Sequence, residues 1–138
     1  MGGVAMVRRT FTGKLTVAVG PAVAALAIGA AIPAAGGTFA FEGRYAGGDR
    51  SYRQVLAIAR RADGGFDVSA TVGMDGCSGD VEARGEASGD TLTAEAVEDN
   101  TCILTIRRVG TGLSVDATNC VRFHGASCDF AGLYRRRR

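Results

Sequence analysis

Beyond Pro33 this chain has no proline, beyond Lys14 no lysine, and before residue 77 no cysteine; it has a single histidine, His124. Each gap removes a class of explanation. Without proline after residue 33, nothing in the rest of the chain forbids a strand from pairing on both edges. Four cysteines with no C-x-x-C pair and one histidine argue against structural zinc and against thiol–disulfide exchange chemistry. There is no G-x-S-x-G, no identifiable oxyanion motif and no matched acid–base set, so the chain reads as a non-enzyme. No stretch after residue 35 shows helical periodicity. All bases downstream of the first segment are arginines, which genomic base composition explains without any functional demand.

The first 35 residues carry Arg8, Arg9 and Lys14 and no acid, followed by an uncharged Ala-, Val- and Gly-rich run over 15–35. This is the plan of a cleaved signal peptide, with small residues for cleavage near 34–40. An uncleaved anchor is the alternative, since the run is about long enough to span a bilayer. Pro21, Pro33 and the glycines argue against it. No cysteine follows the run closely, which argues against a lipid-anchored lipoprotein. Arg8-Arg9-Thr10-Phe11 with Lys14 resembles a twin-arginine export signal, though Val7 replaces the usual Ser or Thr and Lys14 stands one place late.

Removing those three bases from the sixteen of the whole chain leaves thirteen against fourteen acids. Four of the thirteen are the run Arg135 to Arg138, read as a basic tail. The remaining domain, 36–134, is acidic. Nucleic-acid binders show a basic face on the domain itself, so no nucleic acid is expected as a partner.

From Thr38 onward one pattern recurs, a short alternating run and then a turn signal. Phe66, Val68, Ala70, Val72 and Met74 alternate with polar or small residues after Ala62-Asp63-Gly64-Gly65. Val81, Ala83, Gly85 and Ala87 do the same before Ser88-Gly89-Asp90. Leu92, Ala94 and Ala96 follow, then runs at 102–109 and 113–117. With first and last strands at Thr38–Tyr45 and Phe130–Arg135 and an apolar stretch at 55–59, the total is eight strands. The fold class expected is all-β: a small eight-stranded antiparallel up-and-down barrel, or a curled sandwich, with two disulfides. Phe41-x-Gly43-x-Tyr45 and Phe130-x-Gly132-x-Tyr134 echo each other, as first and last strands that pair and close the sheet would. Small residues of the fourth and fifth strands facing large ones elsewhere predict a filled interior; a ligand cavity is the alternative.

In a meander alternate turns lie at one end, and Cys77, Cys102, Cys120 and Cys128 all fall at that end. Joining neighbours along the chain predicts Cys77–Cys102 and Cys120–Cys128. The loop between the last two cysteines, with Arg122, Phe123, His124 and Ser127, is a candidate recognition tip. His124 reads first as a surface or loop-packing residue and second as a binding contact. Glu82, Glu86 and Glu95 should share the outer face of one hairpin, with Arg84 the only base between Asp75 and Asp99. Such a face favours a basic partner, although solubility alone would also explain it. Asp75, Asp80, Glu98, Asp99 and Asn100 gather near the cysteine end, where calcium is an alternative reading, but their spacing fits no loop motif. No metal or cofactor is expected.

In size, strand count, disulfide-tied loops and acidic surface, residues 38–135 loosely resemble the small exported β-barrels of bacterial envelopes, including periplasmic lysozyme inhibitors. That resemblance implies a loop plugging a lysozyme cleft. The expectation is therefore a monomeric periplasmic or secreted binding domain, without a membrane span in the mature chain, acting on a basic protein such as lysozyme. The alternatives are a small-ligand carrier using the barrel interior and a structural envelope protein held by its basic tail.

Overall fold

The computed structural model describes residue 13 and residues 40–138. The expected signal peptide and its twin-arginine string lie outside the described residues. Eight strands follow in order: β1 Gly43–Gly48, β2 Arg53–Arg60, β3 Phe66–Met74, β4 Cys77–Ser88, β5 Thr91–Ala96, β6 Ile103–Val109, β7 Gly112–Thr118 and β8 Gly132–Arg136. Each pairs antiparallel with the next, and β8 returns to β1, so the sheet is a closed barrel. Tyr45 lies opposite Arg136 and Gly47 opposite Tyr134 at that seam. Closure leaves no unpaired edge, which is why an up-and-down sheet of this length is stable without a covering layer.

The period-two pattern decides which face is inside. Along β3, Phe66, Val68, Ala70 and Val72 are buried while Asp67 and Thr71 face outward. The interior is filled by Tyr45, Leu56, Val81, Leu92, Leu104, Ile106, Leu113 and Tyr134 among others, with Ala83, Ala94 and Ala96 on β4 and β5 making room for them. Burying each large aliphatic side chain contributes about 1.5–3 kcal/mol. Ala87 departs from the expected inward set. Pairing of β3 with β4 ends at Phe66 and Gly85, so Ala87 sits beyond the closed wall and is exposed.

The echo between the two ends of the chain is structural, with one change. Gly43 and Gly132 have φ of 147° and 156°, a region that favours glycine, and each begins its strand instead of continuing one. The strands therefore start later than the alternation predicts. The preceding Phe41 and Phe130 fold inward and are buried. In each copy the tyrosine hydroxyl donates to the phenylalanine carbonyl four residues before it: Tyr45 to Phe41 at 2.8 Å and Tyr134 to Phe130 at 2.7 Å. Burial pushes both phenols above their ordinary pKa. Since β1 and β8 run in opposite directions, the two phenylalanines close opposite ends of the barrel. Phe41 packs edge-on against Phe66 at one end, and Phe130 against His124 at the other.

The described residues contain no helix long and apolar enough to cross a membrane. Two disulfides and no free cysteine mark a chain that folds outside the reducing cytoplasm. Their pairing is Cys77–Cys128 and Cys102–Cys120, which corrects the neighbour-to-neighbour expectation. The segment 119–131 is the reason. Instead of closing on itself, it crosses the mouth of the barrel and is tied to other corners.

Candidate functional site

Four connections surround the cysteine-bearing mouth: β1–β2, β3–β4, β5–β6 and the long β7–β8 segment. The last is anchored to each of the other three. At the β5–β6 corner it is held by Cys102–Cys120 and by Arg122, whose guanidinium lies 3.1 Å from Asp99. Asp99 also accepts from the Thr101 hydroxyl and amide; these bonds and the Arg122 charge lower its pKa. A single 3-10 turn, Val121–Phe123, then carries the chain across the mouth. At the β3–β4 corner His124 bridges Gly79, the Gly125 amide donates to Ser78, and Cys128 joins Cys77. The bridge needs glycine: a Cβ on Gly79 would fall 2.4 Å from the Phe123 carbonyl oxygen. At the β1–β2 corner the Tyr52 hydroxyl donates to the Asp129 carbonyl and accepts from the Asp129 amide. Buried Gln54 donates to the carbonyls of Asp129 and Ala131 at 3.0 and 2.8 Å.

Gln54, Tyr52 and Asp129 were not singled out from the sequence. Gln54 could have been: it occupies the inward register of Leu56 and Ile58, and a polar group there must satisfy its hydrogen bonds with something that enters the barrel.

The candidate loop residues thus separate. His124 has a side chain only 9% exposed, its Nδ1 lies 2.8 Å from the Gly125 carbonyl, and its ring stands edge-on to Phe130. It packs the loop. Phe123 is half-buried against the core. Arg122 and Ser127 face outward, Arg122 through its ion pair with Asp99. Two valines of this end are exposed: Val121, which follows Cys120, and Val97, which follows β5.

The acidic residues form a wall below that corner. Asp80, Glu82 and Glu86 project from β4 and Glu95 from β5, all exposed. Their cross-strand neighbours decide the field. Asp80 faces Thr71, Glu82 faces Ser69 and Glu86 faces Thr93, none of them basic. Arg84 faces Glu95 and lies 3.4 Å from Asp67. Among the described residues Asp80, Glu82, Glu86, Glu95 and Glu98 form no salt bridge. By contrast Glu42, Asp63, Asp67, Asp99 and Asp116 each have an arginine partner.

The residues considered for calcium do not converge. Among the described residues no three His, Cys, Asp or Glu side chains are grouped closely enough to hold a metal ion. Compared with known protein families, curated proteins and solved structures, the chain has no match.

Proposed function

We propose that this protein is a non-enzymatic exported binding domain, periplasmic or secreted and monomeric, which docks a basic protein. It does so on the outer wall of β4 and β5 and the stapled corner above it. The observation that carries the reading is a wall on which Glu82 and Glu86 stand opposite neutral residues and Glu95, although opposite Arg84, forms no salt bridge among the described residues, with exposed Val97 following β5 and exposed Val121 following Cys120. Unneutralised carboxylates steer a cationic partner, and an apolar corner fixed by a disulfide supplies contact area at little ordering cost. The interior is occupied by side chains, so the carrier alternative draws no support from the packing.

Lysozyme is the probe of choice. Micromolar protein should retard lysozyme hydrolysis of cell walls or be captured by immobilised lysozyme, with affinity falling as salt rises. The triple variant Glu82→Gln, Glu86→Gln, Glu95→Gln should weaken the complex at least tenfold. Unchanged lysozyme kinetics together with no capture would overturn the lysozyme version of the reading.

A further inference from the structure

Independently of that reading, we propose that the opposite wall of the barrel is a docking surface for anionic phospholipid bilayers. A groove of about 920 Å³ lies where the β6–β7 turn and the start of β7 meet β8; it is lined by Arg108 and the run Arg135 to Arg138, with no carboxylate side chain. Two of the protein's exposed large aliphatics also line it, Leu133 at 68% and Val109 at 53% exposure. Arginines around exposed aliphatic side chains suit a bilayer surface. The guanidinium forks take lipid phosphates, while the apolar tips enter the acyl boundary.

The arginine run is not a loose appendage. Arg135 and Arg136 belong to β8, the Arg136 guanidinium donates to the Glu42 carbonyl at 2.7 Å, and the Arg137 amide donates to the Arg44 carbonyl at 2.8 Å. Arg44, exposed on β1, extends the positive surface across the seam. In a ring of eight strands β8 stands diametrically across from β4, and β1 from β5. A barrel resting on lipid through β7–β8 would therefore turn its acidic wall away from the membrane.

The chain from Gly36 to Arg138 is a compact unit of its own, containing all eight strands and both disulfides. It can be tested without the preceding segment. Co-sedimentation with phosphatidylglycerol vesicles should show binding that phosphatidylcholine vesicles lack and that 0.5 M salt reverses. Arg135→Gln, Arg137→Gln, Arg138→Gln together should lower partitioning about a hundredfold, at about fivefold per arginine. Leu133→Ser should lower it about tenfold. The acidic-wall triple variant should bind vesicles at least as well as the parent. No sedimentation with phosphatidylglycerol, equal sedimentation with phosphatidylcholine, or indifference to the arginine substitutions would each overturn the proposal. None of these results bears on lysozyme capture.

Discussion

At the scale of single residues, the two Phe-x-Gly-x-Tyr copies do more than repeat an aromatic strand. Each tyrosine hydroxyl satisfies a carbonyl beside a phenylalanine that closes one end of the barrel. Replacing Tyr134 by Phe leaves a carbonyl next to the core without its donor, at a cost of about 1–2 kcal/mol. A fall of that size should appear as a lower urea midpoint with unchanged slope, and Tyr45→Phe should behave alike. Asp99 gives a second residue-scale expectation. Thr101 and Arg122 lower its pKa, so protons bind the unfolded chain more readily than the folded one. Its contribution is complete above the unfolded value of ~4 and is lost as pH falls through the lower folded value. Stability measured from pH 6 to pH 2 should decline with acid, and Asp99→Asn should make that decline shallower. An unchanged slope in the variant would remove Asp99 from the account.

At the scale of elements, the strands were legible in the sequence and the cross-links were not. Alternation such as Phe66-Val68-Ala70-Val72 reports burial directly, because a closed sheet has one wet and one dry face. The pairing of cysteines depends instead on where segment 119–131 travels, and no periodicity encodes that path. Neighbouring along the chain suggested Cys120–Cys128, but the loop leaves Cys120 at one corner and reaches Cys77 across the mouth before Cys128 is joined. The first strand's start was missed for a related reason: Gly43 looks like any small residue in an alternating run, and only its positive φ ends the extended segment. The observed pairs span 51 and 18 residues. Chain-entropy estimates assign them about 4 and 3 kcal/mol. Cys77→Ser with Cys128→Ser should accordingly destabilise the barrel about 1 kcal/mol more than Cys102→Ser with Cys120→Ser. Peptide mapping without reduction should recover these two pairs; a Cys77–Cys102 peptide would contradict the path of the loop.

At the scale of the whole molecule, charge is divided between opposite walls. The sequence showed the division only in part. Glu82, Glu86 and Glu95 could be placed on one outer face from their spacing, and the structure puts them there. His124 could not be assigned to the inside or the outside, because a loop residue's exposure depends on the path of the loop. Val97 and Val121 carry no sequence signal, since an apolar residue outside an alternating run does not report its own exposure. Closure of the ring then adds what no local pattern contains, the opposition of β4 to β8 and β5 to β1. The central claim is that a basic protein is met by β4, β5 and the stapled corner. Amide chemical-shift mapping of the isotope-labelled 36–138 unit titrated with lysozyme tests it most directly. The account predicts perturbations confined to residues around Glu82, Glu86, Glu95, Val97 and Val121. Perturbations centred on β8 and β1, or none at saturating lysozyme, would contradict it.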